Sequence, residues 1–518
     1  MGEDIDRNLH GRFLRGLAAA PHGGAALRLG DRAVSFAELH ETALVWAGSL
    51  LRAGVTGPVG VLAEKGTTAY AGVLAALYTG GPVVPLHVDF PPERTARMAA
   101  AAGVTAVIAD ARGAGLLPEL RERGYRGEAL LPRGGGEGAI PVAAAHAPAE
   151  PRAVPPGAPA YTLFTSGSTG RPKGVVLTHA NLCHYFGVLD GRYDFGPDDA
   201  FSQTFDLTFD CGIFDLFCAW GAGAAAVPVP PRGHADLPAF LERHRVTVWF
   251  STPSGITLAR RLGALRPGAL PGLRWSFFAG EALRCADVED WTRAAPYSAV
   301  ENLYGPTELT VTITGHRWLP DRSAALAVNG VVPIGSVHPG HEILLVTEDG
   351  RVTDAEEGEL CVTGPQLTPG YLDPADGAGR FLRHAGRTWY RTGDRVRRLP
   401  GGELCYLGRR DAQVQVQGWR VELAEIEHAL LAVGDGVAEA AAVGVEGAAG
   451  TELVVFYTGE ARPPVELANR LRRTLPDGMV PKRYHHLGEL PLNANRKVDR
   501  KALTERAGEL LRADNNWS

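Results

Sequence analysis

Cysteine and methionine are scarce in this sequence, which has six cysteines and three methionines among 518 residues. No two cysteines form a C-x-x-C pair and their spacing gives no disulfide framework, so we expect reduced thiols in a cytoplasmic protein. Long apolar runs are also absent, and residues 1–7 lack the apolar core of a secretion signal. These absences argue against a disulfide-stapled secreted protein and against a membrane span.

An excess of basic charge is missing too. The chain has 52 Lys and Arg against 58 Asp and Glu, which gives a net charge of −6. Nucleic-acid-binding proteins usually carry strong basic patches, so we predict no nucleic-acid partner. The composition is typical of a globular protein, and its length exceeds one compact core. Two or more domains are therefore expected.

Strand-like and helix-like segments alternate along the chain to about residue 300. Residues 59–62 and 83–86 are predicted to be buried strands, with a helix over residues 68–78 between them. Such alternation is typical of parallel sheets covered by helices. The sequence therefore predicts an α/β fold.

The pattern changes twice in the second half. From about residue 341, short strands with turn signals predict a small β subdomain. After about residue 410, helical and strand-like stretches predict a small α+β domain. We therefore predict a large N-terminal domain over residues 1–410, with the β subdomain at about 341–410, and a small C-terminal lid over residues 411–518.

A loop rich in glycine and hydroxyl groups lies between predicted strands at residues 160–164 and 175–177. Its sequence is Thr165-Ser166-Gly167-Ser168-Thr169-Gly170-Arg171-Pro172-Lys173-Gly174. Such a loop directs N–H groups and hydroxyls to one point, which suits a phosphate, and Lys173 adds a charge. The strand–loop–strand context and the spacing differ from a Walker P-loop. The alternative interpretation is a surface turn.

A second motif combines groups that suit a nucleotide and a metal ion. It reads Asn302-Leu303-Tyr304-Gly305-Pro306-Thr307-Glu308. Tyr304 offers a flat face to a base, Thr307 can donate a hydrogen bond to phosphate, and Glu308 is a hard oxygen ligand suited to Mg²⁺. The alternative interpretation is a helix cap with a surface acid.

Together with Phe278–Glu281, Tyr390–Asp394, Gly408–Asp411 and Asn495–Lys497, these motifs closely resemble the adenylate-forming superfamily over nearly the whole chain. Members include acyl-CoA synthetases, luciferases and the amino-acid-adenylating domains of nonribosomal peptide synthetases. The resemblance implies ATP and Mg²⁺ as cofactors, and a lid that rotates between two half-reactions.

The resemblance also implies residue roles. The ATP-binding residues would be Thr165, Ser166, Gly167, Ser168, Thr169, Gly170, Lys173, Gly280, Glu281, Asn302, Tyr304, Gly305, Thr307, Asp394 and Arg409. Asp394 would bind the ribose hydroxyls, and Glu308 would hold the metal. Lys497 would act catalytically with Thr307 and Glu308 by bridging the substrate carboxylate and the α-phosphate. Asp411 would be the hinge; taken alone, it would be an ordinary turn residue, and Lys497 an ordinary solvated charge.

Two aspartates compete for the substrate ammonium. Amino-acid activators of the family carry an F-D-x-S motif whose aspartate pairs with that ammonium. Phe205-Asp206-Leu207-Thr208 resembles it more closely, but the downstream run at residues 214–217 sets the register on Asp210. We choose Asp210, because the ammonium of a buried substrate needs a paired carboxylate. The alternative is that Asp210 caps a helix.

Aligned with the family in this register, the rest of the specificity pocket is uncharged. Besides Asp210, its residues would be Cys211, Phe214, Phe250, Phe277, Ala279, Leu303, Val311 and Thr312. A charged side chain would be buried there without a partner, and the phenylalanines take up volume. We therefore expect alanine, then glycine or serine; proline is the runner-up, and a β-amino acid stays open.

The acceptor of the activated acid is predicted to be a separate phosphopantetheinylated carrier protein, through a thiol or a carrier-bound amine. The enzyme is expected to be free-standing, and an accessory activator protein stays open. An acyl-CoA ligase of the same fold is disfavoured, because a buried Asp210 would repel an acid that lacks an ammonium. Retention of Lys173, Glu308, Asp394 and Lys497 argues against a catalytically dead protein.

Overall fold

The computed structural model describes residues 7–132, 138–167, 171–409, 413–433, 436–447, 450–492 and 498–515. Strands of the large domain outside the β subdomain are β1 (Ala25–Leu29), β2 (Arg32–Ser35), β3 (Val59–Leu62), β4 (Val83–Leu86), β5 (Ala106–Ala109), β6 (Glu128–Leu130), β7 (Pro159–Thr165), β8 (Lys173–Thr178), β9 (Ala200–Gln203), β10 (Ala225–Pro228), β11 (Val248–Ser251), β12 (Trp275–Phe278), β13 (Ala299–Tyr304), β14 (Thr314–Arg317) and β15 (Ser336–Val337).

Twelve α-helices of the described chain accompany these strands. They are α1 (Leu9–Ala19), α2 (Phe36–Arg52), α3 (Thr67–Tyr78), α4 (Pro92–Ala101), α5 (Ala111–Glu122), α6 (His179–Arg192), α7 (Cys211–Gly221), α8 (Pro231–Ala235), α9 (Leu237–His244), α10 (Pro253–Arg261), α11 (Cys285–Ala294) and α12 (Pro320–Leu326). Ser35 caps α2, because its hydroxyl accepts the N–H of Glu38 at 3.1 Å. Helix α7 is apolar on almost all sides and fully buried, as a helix inside a core must be.

Two largely parallel sheets organise the large domain. One has nine strands in the order β15-β14-β13-β12-β11-β9-β10-β1-β2, and the other has six in the order β6-β5-β3-β4-β7-β8. One continuous apolar core connects α1, α2, α3, α6 and α7 with residues of both sheets. The predicted α/β fold with helix-covered sheets is confirmed.

The β subdomain follows as a six-stranded sheet. Its strands are β16 (Glu342–Val346), β17 (Val352–Thr353), β18 (Glu357–Thr363), β19 (Phe381–His384), β20 (Arg387–Arg398) and β21 (Leu404–Arg409). Their order is β17-β16-β18-β20-β19, and β21 pairs with β20. Alternating apolar side chains of β18 and β20 pack against the end of the nine-stranded sheet.

The C-terminal domain is small and mixed. It contains β22 (Gln413–Val416), β23 (Trp419–Glu422), α13 (Leu423–Val433), β24 (Val437–Gly447), β25 (Gly450–Gly459), α14 (Pro464–Leu471), β26 (Arg483–His486) and α15 (Arg500–Asn515). β22 and β23 form a hairpin, and β24, β25 and β26 form a sheet. The predicted boundary at 410/411 lies outside the described residues, between β21 and β22.

The six cysteines all lie in the described part of the chain, and no disulfide joins any two of them. Among the residues that the structure describes, no helix has the length and apolarity needed to cross a membrane.

Candidate active site

A cavity of about 680 Å³ lies between the large domain and the C-terminal domain. Its floor follows the carboxyl ends of the parallel strands β9, β11 and β12, with β13 beside them, where ligands of open α/β sheets usually bind. The hairpin β22–β23, the end of β24 and the start of β25 contribute the opposite wall. The site therefore draws on three of the chain's sheets and on the lid.

Tyr304, Asp394 and Arg409 meet on one side of this cavity. The Tyr304 hydroxyl donates to one oxygen of Asp394 at 2.6 Å, and Arg409 Nη1 donates to the other at 2.8 Å. Asp394 is buried, at 4 % exposure, and all three residues line the cavity. Burial, and next the negative charge of Asp394, raise the pKa of Tyr304 far above its usual value.

Asn302 and Gly305 shape the same side. The Asn302 amide donates to the carbonyls of Val332 and Pro333 at 3.2 and 2.9 Å, which ties the end of β13 to the following loop. A Cβ on Gly305 would lie 2.6 Å from the Cα of Thr312, so the backbone approaches too closely for any side chain. Both residues line the cavity, as do Thr307 and Gly280.

Glu308 is buried beside the cavity and carries two hydrogen bonds. Tyr371 donates its hydroxyl to Oε1 at 2.7 Å, and Arg420 Nη1 donates to Oε2 at 2.8 Å. Burial would raise the pKa of Glu308, but the Arg420 guanidinium and the Tyr371 hydroxyl lower it to about 2. Glu308 is therefore an anion at neutral pH.

The loop between β7 and β8 reaches the cavity through Thr165 and Ser166. A Cβ on Gly167 would lie 2.0 Å from the Arg171 carbonyl, which explains the glycine. Lys173 begins β8 and is buried, and its pKa is lowered by burial and then by the charge of Arg380. Gly167 and Lys173 do not themselves line the cavity.

Asp210 lines the cavity at the start of α7, whereas Asp206 does not. Burial raises the pKa of Asp210 to about 6, and a hydrogen bond from Thr307 opposes that rise. A hydrogen bond from the backbone of Cys211, the first residue of α7, also opposes the rise. Asp206 instead accepts the N–H and hydroxyl of Thr208 at 2.9 and 2.7 Å.

The predicted specificity residues divide into two layers. Four of them line the cavity: Cys211, Ala279, Leu303 and Val311. Four others are not among the lining residues: Phe214, Phe250, Phe277 and Thr312. The three phenylalanines pack against one another behind the wall, with 4.7 Å between the ring centres of Phe214 and Phe250, and Thr312 hydrogen-bonds the Tyr185 hydroxyl at 3.0 Å.

Several lining residues were missed from the sequence. Phe205 lines the cavity and packs edge-on against Phe250, with ring centres 4.8 Å apart. Trp419 of the hairpin also lines it and lies 4.9 Å from the Phe209 ring. Phe205 and Phe209 each precede one of the two aspartates considered for the substrate ammonium, so that segment already held the signal. Trp419 enters only through the docking of the C-terminal domain, which no local pattern encodes.

Glu281 joins the two domains at the cavity rim. Its carboxylate accepts the N–H of Ser254 from one side and the N–H of Gly418 from the lid, both at 2.8 Å. Burial raises its pKa, and these hydrogen bonds oppose the rise. In this structure Glu281 therefore contacts the lid.

Some predicted residues lie outside the described part of the chain: Ser168, Thr169, Gly170, Asp411 and Lys497. Within the described part, no group of three or more His, Cys, Asp or Glu side chains is arranged to hold a metal ion.

The chain matches two sequence families. Residues 15–372 match the AMP-binding enzyme family, and residues 425–497 match the AMP-binding enzyme C-terminal domain. An L-proline–[L-prolyl-carrier protein] ligase of Streptomyces coelicolor is 34% identical, covering 94% of this chain and 94% of that protein. Some other curated relatives are longer, and the chain spans 42%, 45% and 47% of three of them.

Solved structures resemble this chain along nearly all of its length. The crystal structure of IdnL7 is 52% identical, covers 97% of this chain and 99% of that one, and has a TM-score of 0.76. The Vibrio cholerae adenylation domain AlmE, in complex with glycyl-adenosine-5′-phosphate, is 28% identical with a TM-score of 0.84 and covers 97% and 98%.

Proposed function

Because this chain belongs to the AMP-binding enzyme family, we propose that it activates a small neutral amino acid with ATP and passes the aminoacyl group to a carrier protein. In the first step a carboxylate oxygen attacks the α-phosphorus of ATP, and pyrophosphate leaves. In the second, a thiol or amine on the carrier attacks the carbonyl carbon, and AMP leaves. The observation that carries the proposal is one cavity bordered by both Asp394 and Asp210.

The nucleotide is assigned to the side of the cavity that Asp394, Tyr304 and Arg409 line. Two ribose hydroxyls would donate to the Asp394 carboxylate, which is already held at fixed geometry by its two neighbours. Gly280 and Glu281 would lie beside the adenine. Thr165 and Ser166 would meet phosphate oxygens with the remainder of their loop, and Lys173 would contribute charge behind it.

Mg²⁺ fits the donors near the phosphates. Glu308 is a buried, ionised carboxylate, and Mg²⁺ usually takes one or two protein carboxylates together with phosphate oxygens. The lack of a larger ligand cluster in the described chain agrees with that coordination. A cation bound there would neutralise charge on the phosphates, while Thr307 donates a hydrogen bond and Lys497 supplies charge between the carboxylate and the α-phosphate.

The substrate ammonium is assigned to Asp210. This carboxylate lines the cavity, and burial raises its pKa to about 6, a cost of ionisation that a bound cation would relieve. The side chains that most influence its pKa are those of Thr307, Cys211 and Glu308, and none of them is cationic. An amino acid supplies one, whereas a fatty acid would add a second negative group.

A small neutral side chain suits the cavity walls. Cys211, Ala279, Leu303 and Val311 offer no partner to a charged group. Phe205 occupies volume at the same end and is supported by Phe250 behind it. We therefore assign alanine first and glycine or serine next. The glycyl adenylate carried by the related AlmE domain agrees with a small side chain.

Proline is the second candidate. It rests on the Streptomyces coelicolor relative and on a Pseudomonas fluorescens protein of the same name that is 36% identical over 68% of this chain. A pyrrolidine ring is neutral and needs no polar partner for its ring carbons, so the walls do not exclude it chemically. Proline therefore differs from alanine, glycine or serine in this pocket mainly by the volume of its side chain.

The test is amino-acid-dependent exchange of pyrophosphate into ATP, measured over a panel of amino acids with fatty and aryl acids alongside. A maximum for alanine, glycine or serine is the expected result. A maximum for proline would favour the second candidate, and exchange only with acids that lack an amino group would refute the role of Asp210. Transfer to a phosphopantetheinylated carrier, followed by mass spectrometry of the intact carrier, then tests the second step.

A further inference from the structure

Arg420 forms an ion pair with Glu308, the carboxylate to which we assign Mg²⁺. Its Nη1 is 2.8 Å from Glu308 Oε2, and the Tyr371 hydroxyl is 2.7 Å from Oε1. Both oxygens of Glu308 therefore face protein donors. Glu308 is only 1 % exposed, so the pair is shielded from water. Arg420 belongs to the hairpin β22–β23, so this contact exists only while the C-terminal domain is docked.

The docked domain also occupies donors of the phosphate loop. The Ser166 hydroxyl donates to the Arg420 carbonyl at 2.5 Å and accepts the N–H of Glu422 at 3.1 Å. The N–H of Gly167 donates to Glu425 at 3.2 Å, and Glu425 is paired with Arg94 at 2.6 Å. Loop groups that would face phosphate oxygens thus contact the lid instead.

We propose that Arg420 is the counter-ion of Glu308 in the docked state, and that docking of the C-terminal domain and binding of a divalent cation at Glu308 exclude each other. Mg²⁺ binds carboxylate oxygen directly, at about 2.0–2.1 Å, so it would compete with Arg420 for the negative charge of Glu308. Two cations at one carboxylate would also repel each other in a buried site. The proposal rests on the proposed function in giving the metal to Glu308.

This exclusion links lid position to the reaction step. The domain would have to leave Glu308 for a metal–ATP complex to bind, and it could dock again when this carboxylate holds no cation. Arg420 then neutralises a carboxylate that would otherwise be buried without a cationic partner, which is costly in free energy. By reciprocity, docking weakens metal binding by the same factor by which bound metal weakens docking. Arg420 is thus a positioning residue that acts through Glu308.

The first experiment measures hydrogen exchange of the amides of residues 413–422 in the full-length enzyme without substrate or metal. Glu308→Gln and Arg420→Gln should each accelerate exchange about tenfold or more, because each removes one member of the buried pair. Arg284→Gln is the matched control: its pair with Glu446 also joins the two domains, but both side chains are exposed, so little change is expected.

Unchanged exchange in both variants, or equal acceleration in the Arg284→Gln control, would overturn the counter-ion role. Two variants are needed because Glu308→Gln leaves a buried arginine without its anion and can lower overall stability. Thermal unfolding of each protein shows whether Glu308→Gln is destabilised overall. If it is, the exchange rate of Arg420→Gln decides whether the counter-ion role holds. If Glu308 bound only a metal, Glu308→Gln would not change hydrogen exchange of residues 413–422 in the metal-free enzyme.

The second experiment measures Mn²⁺ binding by electron paramagnetic resonance in the presence of a non-hydrolysable ATP analogue. Arg420→Gln should tighten Mn²⁺ binding about fivefold or more, within the usual range of such coupling. Arg94→Gln should act in the same direction, because it weakens docking at a distance from Glu308. Unchanged Mn²⁺ affinity in variants whose hairpin is released would overturn the exclusion.

Failure of the metal assignment gives a different result. In that case Glu308→Gln would leave Mn²⁺ binding unchanged, which removes the competition between the two cations. The hydrogen-exchange result in metal-free enzyme would still report on the contact between Arg420 and Glu308. The two experiments therefore separate an error in the proposed function from an error in the role of Arg420.

Discussion

Tyr304 and Asp394 are joined by a hydrogen bond of 2.6 Å although they are 90 positions apart in the chain. Tyr304 ends β13 of the nine-stranded sheet, and Asp394 lies in β20 of the β subdomain. Arg409 holds the other oxygen of the same carboxylate at 2.8 Å. The carboxylate is therefore fixed in position by residues of two sheets, and its orientation depends on how these sheets pack.

Asp394→Asn is expected to raise the KM for ATP about 10- to 100-fold, since one hydrogen bond to a charged group contributes about 1.5–3 kcal/mol. Tyr304→Phe should have a smaller effect, below about tenfold, because the carboxylate itself remains. The KM for the amino acid should change less than about twofold in both variants. Steady-state pyrophosphate exchange measures both KM values in each variant. Equal effects on both substrates would indicate general distortion.

Asp210 gives the amino-acid reaction a pH dependence. Its pKa in the folded protein is raised to about 6, so the carboxylate becomes protonated as the pH falls through that value and no longer attracts an ammonium. We expect kcat/KM for the amino acid to fall below about pH 6. In Asp210→Asn, kcat/KM for the amino acid should be low at every pH and should not fall further below about pH 6. A fall at that pH that persists in the variant would show that another group titrates there.

The same raised pKa predicts a gain in stability for Asp210→Asn. The unfolded chain ionises near the ordinary value of 3.8 and the folded chain near 6, so folding loses stability as the pH rises between these values. The asparagine variant avoids that loss. Its thermal unfolding temperature should exceed that of the wild type at pH 8 and approach it near pH 4. An unchanged difference over this range would contradict the burial of an ionisable Asp210.

Phe205 and Phe214 allow the two layers of the pocket to be tested separately. Phe205→Leu changes a side chain that lines the cavity and should shift the amino-acid preference toward larger residues. Phe214→Leu changes a fully buried side chain behind the wall and should lower stability by about 1–3 kcal/mol with little change in preference. Exchange assays and thermal unfolding measure both effects. The opposite pattern would place the specificity wall at Phe214.

Much of the fold was predictable because its signals are local. The alternation of buried strands and helices and the Ser35 cap each depend on neighbouring residues. The motif around Tyr304 and Glu308 was also local, since a strand end and a tight turn bring these side chains to one edge.

The two pocket layers were not predictable in this way. Phe214 and Phe277 were predicted to form the pocket wall but do not line the cavity, because which side chain reaches it depends on packing between α7 and the strands. Trp419 and Arg420 enter the site only when the C-terminal domain docks. Pairs such as Arg420 with Glu308, 112 positions apart, leave no periodic signal in the sequence.

Two buried histidines, His10 of α1 and His179 of α6, predict a loss of stability in acid. His10 and His179 are almost fully buried with ring centres 6.2 Å apart, and burial lowers the pKa of each to about 4. The unfolded chain binds a proton at each near the ordinary value of 6.5. Stability is therefore complete above that value and declines as the pH falls toward 4, by up to about 3 kcal/mol for His10.

His10→Leu should flatten this decline, because the unfolded chain then has one proton fewer to bind. His22, which is exposed, provides the matched control, and His22→Gln should leave the decline unchanged. Urea unfolding at intervals from pH 7 to pH 4.5 measures the free energy of unfolding for each protein. The His10 ring also packs edge-on to Tyr78, so the variant can lose stability at every pH. The prediction concerns the slope against pH, and a slope equal to that of the wild type would contradict it.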